Sequence, residues 1–155
     1  MLVNLFILKP LTMKRTYKAI LIGIIFCVSL TGYASAQEFK VIVNSSNPVA
    51  SLTQKEVSAY FLKKKTKWGD GTNVSPVDLN STSSTRMSFS EEIHEKSVSS
   101  VKAYWQQSVF SGKAVPPTEK SSDGEIISYV KSNAGAIGYV SSGAGTNGVK
   151  VISVN

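Results

Sequence analysis

The densest run of ligand-type side chains is Asp78-Leu79-Asn80-Ser81-Thr82-Ser83-Ser84-Thr85-Arg86. It lies between an apolar run ending at Leu79 and a segment of helical periodicity that opens near Ser84. Ser and Thr hydroxyls can donate to the oxygens of a tetrahedral anion. The unpaired amides at a helix N-terminus point outward, and the helix dipole adds about half a positive charge behind them. Arg86 supplies a fork that can grip an oxyanion through two parallel hydrogen bonds. Ser83, Ser84, Thr85 and Arg86 are therefore candidate oxyanion ligands. The alternative is a cap cluster that merely starts a helix, since Ser and Thr are usual caps. Ser45 is a second candidate, because it ends the first strand and ligands of open α/β sheets gather at strand C-termini. An ordinary polar turn explains it as well. Ser141-Ser142-Gly143-Ala144-Gly145 has the composition of an anion nest, but a hairpin loop needs the same residues and is preferred.

Other chemistries find little support. The chain has one histidine and one cysteine. His94 lies among Glu91, Glu92 and Glu95 and is expected to be exposed. No nucleophile elbow, Walker loop or dinucleotide fingerprint is present, and a zinc site lacks ligands. The expectation is a non-enzyme with no catalytic residue, metal or cofactor. Basic residues are not interleaved with aromatic ones in the manner of a nucleic-acid surface. Lys63, Lys64, Lys65 and Lys67 form a basic run placed at the last turn of a short helix. They read as a solvated loop, or as a docking site for an acidic partner or membrane headgroups.

The N-terminus is organised differently from the rest. Lys14, Arg15 and Lys18 precede an apolar run from Ala19 to Leu30, and Ala34-Ser35-Ala36 follows. This is the order of a secretory signal peptide cleaved before Gln37. The run is short for a membrane span, although an uncleaved anchor is the alternative. Met13 is a candidate true start. Cys27 sits inside the apolar run after Phe26, which does not fit a lipoprotein signal. Cleavage would leave residues 37–155 in a periplasmic or secreted location, with no cysteine and no stable membrane anchor. The chain carries a net charge of +7; in residues 37–155 thirteen basic residues face ten acidic ones, leaving +3. That balance only weakly favours anionic partners. About 120 residues bury one core.

The elements that position the candidates follow from pattern. Phe39–Val43 reads as a strand, and Thr53-Gln54-Lys55-Glu56 is a capping box opening a helix. Val74–Leu79 is a strand with Pro76 at an edge or strand start. Helices follow from near Ser84 and over 97–109, the latter with Val98, Val101, Tyr104, Trp105 and Val109 on its apolar side. Ser122-Asp123-Gly124-Glu125 opens a further helix that ends at Asn133-Ala134-Gly135. Strands at 136–140 and 149–154 are expected to pair as an antiparallel hairpin. Trp68, Tyr104 and Trp105 read as core anchors. Strands alternating with helices imply an α/β sandwich with a mixed sheet.

Three segments carry a resemblance. Phe61-Leu62-Lys63-Lys64-Lys65-Thr66-Lys67-Trp68-Gly69-Asp70-Gly71 resembles the I-F-L-G-K-x-x-x-W-x-D-G segment of phosphate-type periplasmic substrate-binding proteins. Ala103-Tyr104-Trp105, Val109-Phe110-Ser111-Gly112 and Pro116-Pro117 are similar to the YW…F-x-G…PP stretch of small relatives. Gly135-Ala136-Ile137-Gly138-Tyr139-Val140 resembles their G-A-I-G-Y-V segment. The resemblance implies a type 2 periplasmic-binding-protein-like α/β sandwich of a single lobe. It also implies a protein that hands phosphate or a similar oxyanion to an ABC transporter permease. Such proteins clamp the ligand between two lobes, so the other half would come from a second copy or another protein. By length, Ser83-Ser84-Thr85 matches the Ser-Gly-Thr of a family R-x-x-x-S-G-T loop. Leu79 stands where the Arg would be and Ser84 replaces the Gly, which leaves Arg86 to supply the charge. The competing expectation is a ligand-free envelope module that binds a protein partner through its basic loop.

Overall fold

The computed structural model describes residues 38–155. The signal-peptide reading and the choice between Met1 and Met13 fall on residues outside that range. The described elements are β1 Phe39–Asn44, β2 Ser51–Leu52, α1 Gln54–Phe61, β3 Ser75–Leu79, α2 Ser84–His94, α3 Val98–Phe110, β4 Thr118–Lys120, α4 Asp123–Ser132, β5 Ala136–Ser141 and β6 Val149–Val154. They form an α/β fold around one mixed sheet of order β2-β6-β1-β5-β3-β4. β1 is antiparallel to both β5 and β6, whereas β2, β3 and β4 run parallel to their neighbours. β1 is thus the reversed strand of the sheet.

Side chains alternate across a strand, and the two faces of β1 meet different helices. Phe39 packs edge-on against Phe89 of α2 at 5.3 Å between ring centroids. Asn44, on the other face, donates to the Val130 and Lys131 carbonyls of α4 at 2.8 and 3.0 Å. Helices therefore cover both faces, which explains why β1 and β5 are buried along nearly their whole length, with only Lys40 and Ser141 half-buried. Val41, Ile42, Val43, Ile137 and Tyr139 are all at most 2% exposed. Gly138 is required where α4 crosses the sheet: an added Cβ would lie 2.8 Å from Ile126 and 2.9 Å from Val77.

The local signals act as expected at several points. The Thr53 hydroxyl caps α1, and Glu56 reaches back to the Thr53 amide at 3.1 Å. Pro76 is the second residue of β3, ahead of the Val77–Leu79 segment that pairs with β4. Trp68 is buried and donates from Nε1 to the Gly135 carbonyl. Trp105 is buried with Leu62 and Val101 in a second, smaller apolar cluster, and Tyr104 packs against it.

Four expectations are corrected. β5 and β6 do not form a hairpin, because β1 lies between them and makes them parallel to each other. β1 has two buried faces and fills a central position that a pairing of sequence neighbours would leave empty. His94 is buried, not exposed: it is 8% accessible, with Nδ1 2.9 Å from the Ser58 hydroxyl. Val109, placed on the apolar side of α3, is 51% exposed, while Ser108 is buried. The lysine run follows α1 rather than forming its last turn, since the helix ends at Phe61 and is capped at Leu62. Lys64, Lys65 and Lys67 are exposed, and Lys65 pairs with Glu56 at 3.4 Å.

Candidate oxyanion site

β3 runs out at Leu79, and the chain turns through Asn80–Ser83 into α2. The turn is internally bonded. The Asn80 carboxamide oxygen accepts from the Thr82 amide and hydroxyl at 3.2 and 2.8 Å, and the Asn80 carbonyl accepts from the Ser83 amide at 3.1 Å. Ser83 is the N-cap: its hydroxyl accepts from the Arg86 amide at 3.4 Å. Ser84 and Thr85 occupy the first two helical positions. Their amides have no hydrogen-bond partner among the described residues, as expected for the opening of a helix. Ser84 is exposed and Thr85 half-buried. Local sequence thus brings Ser83, Ser84, Thr85 and Arg86 into one turn.

Ser45 does not join them. Val43 of β1 and Pro76 of β3 flank the same β5 residue, Ile137, and the two strands run in opposite directions. The C-terminus of β1 therefore lies at the N-terminal end of β3. Ser45 sits at the edge of the sheet opposite the α2 turn, so one small anion cannot touch both. Its exposure and its place after the Asn44-centred turn fit the ordinary polar turn.

Arg86 is the least expected member. Its side chain is 6% exposed, and three oxygens converge on its Nη1. Asp78 lies at 2.7 Å, the Leu79 carbonyl at 2.5 Å and Glu119 at 3.2 Å. Nε and Nη2 have no hydrogen-bond partner among the described residues. The other Asp78 oxygen accepts a short hydrogen bond from the Tyr139 hydroxyl. Burial raises the Asp78 carboxyl to about 6, with Arg86 and the Tyr139 hydrogen bond opposing the rise. Asp78 is therefore mostly ionised at neutral pH and offsets the Arg86 charge. Burial also pushes the Tyr139 phenol upward. This buried trio anchors the end of β3 to α2 and β5 before any ligand is considered.

A cleft of about 540 Å³ opens beside the turn. Ser81, Arg86 and Glu119 contribute polar groups to it. Trp105, Val109 and Phe110 of α3, with Pro116 and Pro117, supply apolar wall. Sequence reasoning missed Glu119 and Tyr139 as partners of the site. Tyr139 carried no signal beyond its place in an apolar strand. Glu119 lies on β4, a three-residue strand too short to read by periodicity.

A family profile described as a PBP superfamily domain matches residues 35–153. The chain belongs to the PBP superfamily. Among solved structures, this PBP domain is similar to an ABC-type phosphate transport receptor from Vibrio cholerae, at 21% identity and a TM-score of 0.61, over 76% of this chain and 46% of that one. It is also similar to a protein from Clostridium perfringens described as a phosphate ABC transporter substrate-binding protein with bound phosphate. There the identity is 24% and the TM-score 0.60, over 76% of this chain and 44% of the other. PstS from Borrelia burgdorferi matches at 18% identity and a TM-score of 0.55, over 76% and 47%. A comparison with curated proteins finds no match. The chain spans less than half the length of these three structures. The mixed-sheet α/β class expected from the sequence holds, and the expected PBP-like family is shown at the level of the superfamily.

Proposed function

We propose that this PBP domain is an exported solute-binding protein that takes phosphate or a similar oxyanion and serves ABC-type phosphate transport. It acts by binding, not by catalysis. The observation that carries the reading is the α2 turn, where the amides of Ser84 and Thr85 have no partner among the described residues and the next residue, Arg86, lines the cleft, although Ser83, Ser84 and Thr85 do not themselves line it. A similar solved structure holds phosphate. Thr85 and Ser84 would contribute amides and hydroxyls, Arg86 its Nε and Nη2, and Ser83 the cap that orients the turn. The permease, or a second copy closing over the cleft, is the partner in this scheme. Export would depend on residues 1–36 acting as a cleaved leader, and N-terminal sequencing of the exported product should begin at Gln37.

Isothermal titration with phosphate, sulfate and molybdate at low salt tests the reading. One anion should bind, and Thr85→Ala should weaken it by about 1–3 kcal/mol, as for a charge-assisted hydrogen bond. Arg86→Lys, which keeps the charge but loses the fork, should also weaken it. No heat with any anion overturns the proposal. A second reading, an envelope module docking an acidic protein, draws on the exposed Lys64, Lys65 and Lys67. It requires a salt-sensitive partner whose capture is lost when Lys63, Lys64, Lys65 and Lys67 are neutralised.

A further inference from the structure

The cleft is larger and more apolar than a bare oxyanion needs. At about 540 Å³ it falls within the range that takes organic molecules. Phe110 is 95% exposed and Val109 51% exposed on its rim, and Pro116 and Pro117 also line it. Inorganic phosphate has five heavy atoms and no apolar surface to bury there. Of its charged side chains, Asp78 and Glu119 both meet Arg86 at Nη1. Asp78 is fixed in place, with both oxygens engaged by Tyr139 and Arg86.

Glu119 is held differently. Its side chain is 53% exposed, and its carboxylate makes no hydrogen bond among the described residues except that to Arg86 at 3.2 Å. Half-exposed ion pairs of this kind contribute little to stability. Displacing Glu119 therefore costs little, and it leaves Arg86 and Lys102 facing Asp78 alone in the cleft.

We propose that the cleft binds an organic phosphate, a phosphomonoester or phosphonate bearing an apolar group. The phosphoryl head displaces the Glu119 carboxylate from Arg86, and the apolar body lies against Trp105, Val109, Phe110 and the Pro116–Pro117 wall. This rests on the oxyanion reading above and narrows its ligand class.

The test is titration calorimetry on the purified protein with inorganic phosphate and with phenyl phosphate. Burying a phenyl group against apolar wall should tighten binding roughly tenfold or more over phosphate. Phe110→Ser and Val109→Ser alter exposed side chains and leave folding intact, as circular dichroism should verify. Each should bring the phenyl phosphate affinity down toward that for phosphate. Glu119→Gln should tighten phenyl phosphate several-fold. Phosphate binding with no gain for phenyl phosphate overturns this inference and leaves the proposed function standing. A gain that survives both rim variants overturns it too, because the body then lies elsewhere. So does a Glu119→Gln variant that binds more weakly. Sedimentation equilibrium showing a dimer that Phe110→Ser dissolves assigns the apolar rim to a second copy and overturns it. Binding of neither compound sinks both readings.

Discussion

Arg86→Ala should destabilise the protein by about 3–5 kcal/mol at pH 7, whatever the domain binds. The side chain is 6% exposed, and its removal strands the Asp78 carboxylate and the Leu79 carbonyl in the interior. Breaking one side of a buried ion pair costs about that much. The ionic part of that cost has a ceiling, because Asp78 can take up a proton instead. Measured against the wild type, whose Asp78 titrates at about 6, protonating it at pH 7 costs about 1.4 kcal/mol, so the rest of the loss falls on the stranded Leu79 carbonyl and the packing of the Arg86 stem. That ceiling falls as the pH falls. In the wild type Asp78 titrates at about 6, so its raised pKa makes the folded state relatively more stable below that pH and less stable above it. In the variant the folded carboxyl should titrate above 7. Between pH 7 and pH 5 the variant should regain about 3 kcal/mol and the wild type about half of that. The gap should therefore narrow by about 1 kcal/mol. Urea unfolding of both proteins at pH 7, 6 and 5 measures it. A gap that is constant with pH, or a cost below about 1 kcal/mol at pH 7, would refute the buried pair as described. The double variant Arg86→Met/Asp78→Asn should cost less than Arg86→Ala alone, since no charge is left stranded.

Burial first, and the Arg86, Lys64 and Lys96 charges after it, lower His94 to about 4. Its contribution to stability is complete above about 6.5 and is lost as the pH falls through about 4, by up to about 3 kcal/mol. Asp78 titrates with the opposite sign between about 4 and 6, so the difference between wild type and His94→Gln isolates the histidine; a pH-independent difference in urea midpoints counts against it. Gly138→Ala should destabilise by about 1–3 kcal/mol, because the added methyl meets Ile126 and Val77 inside 3 Å, and an unchanged melting temperature would contradict that packing. Thr53→Ala should remove the side-chain half of the α1 capping box, leaving the backbone amide to Glu56, at a cost of about 1 kcal/mol in chemical denaturation, with Thr53→Ser retaining most of it.

The sequence alone determined what depends on neighbours along the chain. Thr53 and Glu56, Ser83 with the Arg86 amide, and Ser122 with the Glu125 amide are contacts three residues apart, and each helix start was legible for that reason. The strands at β1, β3, β5 and β6 were legible from their apolar runs, and the turn grouping Ser83 to Arg86 was legible from composition. The tertiary structure decided which strands meet and which ends share an edge. Nothing within 136–154 tells β6 to pair with β1, because the central place of β1 is set by helices burying both of its faces. The same arrangement carries Ser45 to the far edge and brings Glu119 and Tyr139 to Arg86 and Asp78, across 33 and 61 residues of chain. A buried charge must find its partners wherever the packed sheet supplies them, and that choice is made in three dimensions.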